Sequence, residues 1–208
     1  MDTPEQPQIY LITPPDIDLN VFPDLLGRIL DSTAIACVRL DLACRDADDL
    51  ARAADTLRAV AHDRDVALVI GDHILLAQRL GLDGVHLSDA GRSVRDARKT
   101  LGPNAIVGSF CASTRHEGIS AAEAGADYVS FGPVGATSLD DGARAGAGLF
   151  EWWSQMIGVP VVAEGALDSA QITDLAPYTD FFGIGEEIWA TTDPTKTLSD
   201  LIRAMSGA

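Results

Sequence analysis

Several residues able to do chemistry stand at the ends of short apolar runs. In Cys37-Val-Arg39-Leu-Asp41 a thiol, a guanidinium and a carboxylate share one face of an extended segment, because side chains two apart in a strand point the same way. Arg39 in that place suits a phosphate or carboxylate ligand, and it equally suits its same-face neighbour Asp41. Asp72 and Asp89 close two successive runs. Together they suit magnesium, which takes few carboxylates and fills its shell with water and phosphate, although solvated or helix-capping aspartates give the same pattern. His86, within Gly-Val-His-Leu, reads more readily as a hydrogen-bonded interior histidine than as a base. Glu164-Gly165-Ala166 and Gly183-Ile-Gly185 precede helical segments, a setting in which backbone amides take phosphate, though glycine also closes tight turns. No Ser/His/Asp or Cys/His spacing marks a nucleophile, and Cys111 alone does not make one.

The elements that must position these residues alternate. Strand-like runs are expected at Gln8–Thr13, Ala34–Asp41, Val66–Asp72, Gly84–Leu87, Ala105–Phe110, Tyr128–Pro133, Pro160–Gly165 and Phe181–Glu186. Ile9-Tyr-Leu-Ile and Val66-Ala-Leu-Val-Ile are nearly continuous apolar stretches, the mark of strands buried on both faces in a parallel sheet. Helical patterns fall between them: 46–64, with an apolar stripe at Leu50, Ala53, Ala54, Leu57 and Ala61, then 74–80, 93–101, 115–124, 149–156, 169–175 and 194–205. Gly81 and Gly125 suit left-handed helix ends, and Ser113 is placed to cap the fifth of the helices. Eight such units predict a single (β/α)8 TIM barrel over residues 1–208, in preference to a doubly wound open sheet. The phrases Gly81-Leu-Asp and Gly125-Ala-Asp look like the turn of a repeated half-unit. The long, small-residued stretch 134–148 falls at the expected mouth.

Composition narrows the partners. The chain has 208 residues with 15 Lys+Arg against 31 Asp+Glu, a formal net charge of −16, and no clustered cations for nucleic acid. No apolar run approaches the ~20 residues of a spanning helix, and Met1–Gln8 lacks the charged-then-apolar order of a secretory signal. Three cysteines, an odd number without metal spacing, fit a reducing cytoplasm. Small-molecule ligands are expected, not nucleic acid or membrane.

The longest phrases, Gly81-Leu-Asp-Gly-Val-His-Leu, Gly125-Ala-Asp-Tyr-Val-Ser-Phe-Gly-Pro-Val and Pro160-Val-Val-Ala-Glu-Gly-Ala-Leu, resemble the thiamine phosphate synthase / thiazole tautomerase family of small (β/α)8 barrels, and the likeness runs from Ile9 to Ile188. The resemblance implies that hydroxymethylpyrimidine diphosphate is joined to thiazole phosphate with release of pyrophosphate. It implies magnesium and basic residues on the diphosphate and backbone amides on the thiazole phosphate. Carried over residue by residue, it implies Arg39, Thr137 and, as a substitute cation, Arg144 as catalytic. Gly165, Ala166, Gly183 and Gly185 become phosphate-binding, and Asp72 with Asp89 metal-binding.

This sequence departs from the family at the charged positions. The family's Gln-x-Arg-x-Lys reads Cys37-Val-Arg39-Leu-Asp41, its Asn-Asp-Arg reads Gly71-Asp72-His73, and its Thr-x-Thr-Lys reads Thr137-Ser-Leu139-Asp140. The second magnesium aspartate falls on Gly91, two residues past Asp89, and the Gly-Gly after the seventh strand is Gly165-Ala166. The tautomerase Ser-x-His has no counterpart in Phe110-Cys111-Ala112-Ser113. The two lysines of the chain, Lys99 and Lys196, fall on helices, and Asp41, Asp140, Glu164 and Glu186 make the mouth acidic. Three functions stay open on these residues: a divergent synthase, a family member without synthase activity that binds another ligand or a partner protein, and a barrel enzyme of different chemistry. Magnesium binding is expected to be weak or substrate-dependent, the ligand small and phosphorylated or heterocyclic, and a homodimer is an open assembly state.

Overall fold

Ile9, Leu11, Leu68 and Ile70 are buried against helices while their strand neighbours Tyr10 and Val69 are buried on the opposite face, an arrangement that a parallel sheet under a helical layer satisfies. The computed structural model describes residues 6–44, 46–136 and 143–206. It is a single (β/α)8 barrel in which β1 (Gln8–Ile12), β2 (Ile35–Leu40), β3 (Ala67–Gly71), β4 (Gly84–Leu87), β5 (Ile106–Phe110), β6 (Tyr128–Phe131), β7 (Val161–Glu164) and β8 (Phe181–Ile184) pair in parallel order and β8 closes on β1. The helices are α1 (Phe22–Ser32), α2 (Ala47–His62), α3 (Ile74–Leu80), α4 (Val94–Leu101), α5 (Arg115–Ala124), α6 (Ala147–Met156), α7 (Ser169–Leu175), α8 (Glu186–Trp189) and α9 (Pro194–Met205). The anticipated strands are all present, trimmed by one or two residues at several ends.

Alternation along each strand sorts the side chains. Val38, Leu40, Val85, Leu87, Val129 and Phe131 face the helices, and Tyr10, Cys37, Val69, Tyr128 and Val162 fill the barrel. Gly108 is required there: a Cβ would lie 2.0 Å from the Tyr128 ring. That space lets Tyr128 stack on His86 with ring centroids 5.7 Å apart.

The repeated Gly-x-Asp phrase has a physical content. Gly81 and Gly125 end α3 and α5 with φ of +63° and +99°, as the sequence suggested. The following aspartates reach back to the preceding strand: Leu68 N–H donates to Asp83 at 2.7 Å and Val107 N–H to Asp127 at 2.7 Å. Asp180 repeats the contact on Val161 N–H at 2.8 Å without the glycine phrase.

Three local features differ from expectation. Helix α1 has no counterpart among the expected helices, yet Phe22, Leu26, Ile29 and Leu30 form its buried stripe; Gly27 is buried beside them, and a Cβ there would stand 3.1 Å from the Arg64 guanidinium. Helix α8, with 4 residues, is too short to persist alone. Its support is tertiary: Ile188 is buried and Trp189 Nε1 donates to Ile12 O at 2.7 Å. Helix α5 is capped by Thr114, whose hydroxyl accepts from Glu117 N–H at 3.3 Å, so Ser113 is not the cap.

Candidate active site at the barrel mouth

A cavity of about 430 Å³ opens at the C-terminal ends of β1, β2, β7 and β8. Thr13, Arg39, Asp41, Glu164, Gly165 and Gly185 are among its walls. The residues come together because inward positions at the tops of these strands are Ile12 beside Arg39 and Glu164 beside Gly183 in the strand register. Gly183 makes room for that arrangement, since a Cβ there would lie 2.8 Å from Glu164 Cβ. Its role is therefore to admit Glu164; within β8 its backbone lies between Tyr10 and Glu164 in the ladder.

Arg39 does not stand free to meet an anion. Its Nη1 and Nη2 donate to Glu164 Oε2 and Oε1 at 2.9 and 3.3 Å, and its Nε is 3.1 Å from Asp41 Oδ2. The last contact is ionic without hydrogen-bond alignment, as Nε has no hydrogen-bond partner. The guanidinium also lies 5.8 Å from the Tyr10 ring centroid. Burial opposes its charge, but the Glu164 carboxylate, with Tyr10 and Asp41, outweighs burial and holds the guanidinium protonated. The contact with Asp41 is one of the two roles the sequence left open for Arg39, and the stronger partner, Glu164, lies 125 residues away in sequence.

The glycine turns after β7 and β8 line the same cavity. Gly165 and Ala166 have φ of +91° and +53°, and Gly165 O accepts from Gly135 N–H at 2.9 Å. Glu186, expected to add to the acidity of the mouth, is exposed, and the neighbouring Glu187 takes the amides of this rim. Glu187 Oε2 accepts from Gly185 N–H at 2.7 Å and Oε1 from Leu167 N–H at 3.0 Å. Glu187 is the residue that sequence reasoning missed. The available signal was two consecutive glutamates directly after a glycine turn.

Of the other candidates, Arg144, Asp72 and Asp89 are not among the residues lining this cavity. Thr137 and Asp140 lie outside the described residues. Arg144 is exposed on the connection from β6 to α6. Asp72, with φ of +54°, accepts from Ser88 N–H at 2.8 Å and Ser88 Oγ at 2.6 Å. Asp89 accepts from Ser93 Oγ at 2.5 Å and Ser93 N–H at 3.3 Å. Each candidate metal aspartate is thus taken up by its own serine, and no group of three metal-ligating side chains occurs among the described residues. The donor set does not fit a resident magnesium ion, and no step below passes through one.

Beneath the cavity a polar chain runs through the barrel. Tyr10 and Tyr128 hydroxyls are 2.6 Å apart, and Tyr128 Oη is 2.9 Å from His86 Nδ1, while His86 Nε2 is buried without a partner. Burial and then the charge of Arg39 depress the His86 pKa well below the ordinary histidine range, so the ring is neutral. Burial likewise pushes the Cys37 and Cys111 thiols up to about 12, which leaves neither as a thiolate nucleophile.

Comparison with known proteins agrees with this architecture. Residues 9–181 match the family described as Thiamine monophosphate synthase. The chain is 37% identical over 206 residues to the thiamine-phosphate synthase of Rhodospirillum centenum, covering 96% of this chain and 98% of that one. It is 36% identical over 189 residues to that of Erythrobacter litoralis, covering 88% of each. In structure it is similar to a thiamine phosphate pyrophosphorylase from Pyrococcus furiosus, with a TM-score of 0.82 and 21% identity over 96% of both chains. No helix among the described residues is long and apolar enough to cross a membrane.

Proposed function

The chain belongs to the thiamine monophosphate synthase family, and on that premise we propose that it joins hydroxymethylpyrimidine diphosphate to a thiazole phosphate and releases pyrophosphate. The observation that carries this reading beside family membership is one cavity bounded by Arg39 on β2 and by the glycine turns after β7 and β8, at the end of the barrel where such folds bind phosphorylated ligands. The bond between the pyrimidine methylene carbon and the diphosphate oxygen breaks, its electron pair leaving with pyrophosphate. The thiazole nitrogen supplies the pair for the new C–N bond and becomes a thiazolium cation.

In this reading Arg39 is the cation nearest the leaving group, and Thr137 and Arg144 act on it from the connection after β6. Gly165, Ala166 and Gly185 flank the thiazole side, with Gly183 behind Glu164. The acidic mouth works in two directions. Asp41 and Glu164 favour the thiazolium charge that develops, and they oppose entry of the diphosphate. Asp72 and Asp89 would meet magnesium only alongside a bound phosphate. The reaction's partners are small and phosphorylated or heterocyclic, in a cytoplasmic setting, with residues 1–208 as one domain and a homodimer as a possible assembly. Neither the reading without synthase activity nor that of different chemistry draws support from the relatives.

The test is incubation of the protein and magnesium with the pyrimidine diphosphate and either thiazole phosphate or its unphosphorylated alcohol, followed by mass spectrometry and pyrophosphate assay. Coupled product matched by equal pyrophosphate is expected. Absence of coupled product with thiazole phosphate overturns the reading.

A further inference from the structure

We propose that Glu164 is a positioning residue that fixes the guanidinium of Arg39 for a diphosphate, so that Glu164, despite its charge, supports anion binding on balance while Asp41 resists it. The inference rests on the synthase reading in taking a diphosphate as the ligand of Arg39, and it deepens that reading with a residue to which the resemblance gives no role. The two acids on this guanidinium are held differently. The Glu164 and Arg39 side chains are 11% and 7% exposed, against 49% for Asp41. Glycines seat Glu164 from two sides: a Cβ at Gly183 would lie 2.8 Å from its Cβ, and one at Gly132 3.1 Å from its Cγ. Its two oxygens take one N–H from each terminal nitrogen of Arg39, at 2.9 and 3.3 Å, a paired contact that fixes the plane of the guanidinium as well as its charge. Asp41 makes a single contact, 3.1 Å from Nε and without hydrogen-bond alignment. Among the described residues, N–H groups on Nε, Nη1 and Nη2 stay open to another acceptor, on a side chain that lines the cavity. A diphosphate can turn the exposed Asp41 out into solvent, whereas Glu164 has no such exit.

The alternative is that Glu164 only neutralises a buried cation. It predicts the opposite sign, because removing either negative charge then eases the entry of an anion. Calorimetric titration of the folded protein with inorganic pyrophosphate and magnesium separates the two. Asp41→Asn is expected to tighten pyrophosphate at least ~3-fold, and Glu164→Gln, which keeps the bulk and drops the charge, to weaken it at least ~10-fold. Should Glu164→Gln not fold, Glu164→Asp keeps the charge and withdraws the carboxylate by a methylene; a loss of at least ~3-fold at unchanged net charge is expected. Pyrophosphate bound as well or better by the Glu164 variant that folds overturns the proposal. So does an Asp41→Asn affinity no higher than that of the wild type, or binding by neither of these two. The titration involves no thiazole and no turnover, so the expected affinities without coupled product would count against the synthase reading alone.

Discussion

At the N-terminal rim of the barrel, Asp83, Asp127 and Asp180 each accept the N–H of a residue near the start of the preceding strand, at 2.7 to 2.8 Å. At the C-terminal rim Glu187 does the same for Gly185 and Leu167, and Glu164 with Asp41 encloses Arg39. The interactions are alike and their consequences differ. On the lower rim nothing else competes for the amides, and a carboxylate simply satisfies donors whose desolvation would otherwise be costly. On the upper rim the same chemistry occupies positions where a barrel of this kind takes phosphate. Satisfaction of the native structure and recognition of an anionic substrate are set against each other there.

The contrast can be broken most severely at Glu164. Glu164→Ala leaves the guanidinium of Arg39, 6% exposed, without its bidentate partner, and unpaired burial of this kind costs about 3–5 kcal/mol. Urea unfolding should show a loss of that size; a change below about 1 kcal/mol would mean that Asp41 and water suffice for Arg39.

Turnover is the next largest effect. Both lysines that the family resemblance places on the diphosphate are aspartates, Asp41 and Asp140. Electrostatic clamps contribute several kcal/mol to such barriers, so pyrophosphate release with thiazole phosphate should run at least ~1000-fold below that of the Rhodospirillum centenum relative assayed beside it. The double substitution Asp41→Lys with Asp140→Lys should raise diphosphate binding. Matching rates in the unmodified protein would show that Arg144 has assumed the lysines' part.

The lower rim should answer in stability alone. Asp127→Ala strips the acceptor from the amide of Val107, a fully buried residue, and removes the carboxylate partner of Arg98, whose bonds to the Ala105 and Gly125 carbonyls remain; a loss of about 1–3 kcal/mol is expected, with ligand affinities unmoved. A change in ligand affinity would erase the functional distinction between the rims.

Between the rims, His86 should give a pH signature. Its pKa is depressed in the fold by burial and by Arg39, so below the unfolded value of about 6.5 the unfolded chain takes the proton first. Stability attributable to this ring is present above that pH and declines as pH falls toward the folded pKa. Between about pH 6.5 and 5 the wild type should lose up to ~1.4 kcal/mol per pH unit more than His86→Phe. Parallel slopes would mean that the ring protonates in place. The smallest effect concerns magnesium: calorimetry on the free protein should find binding no tighter than roughly millimolar, since each candidate aspartate is engaged by a serine.

Much of the scaffold is legible in the linear chain. Apolar runs such as Phe181–Ile184 and the Ile9-Tyr-Leu-Ile of β1, and glycines at helix ends, are local signals, and the eight strands follow from them. Helix α1, although absent from the expected elements, is equally local in origin: Pro23 opens it and Phe22, Leu26, Ile29 and Leu30 stand at helical spacing. Helix α8 was hidden because one turn has no periodicity to read. For the site, alternation placed Arg39 and Asp41 on one face correctly, and Glu164 was singled out as a mouth residue.

What the sequence by itself determined is therefore the barrel, the residues that crown its C-terminal end, and the acidic balance of the chain, because hydrophobic period, turn residues and net charge can be read without tertiary contacts. Tertiary structure alone decided which carboxylate holds which donor. Arg39 and Glu164 are 125 residues apart, and Leu167 and Glu187 are 20 apart on consecutive units. Only closure of β8 onto β1 brings Glu164, Arg39 and the Gly185 turn to one wall. A carboxylate's effect on an anion depends on distance and on prior hydrogen bonding, and neither quantity exists until the barrel is closed.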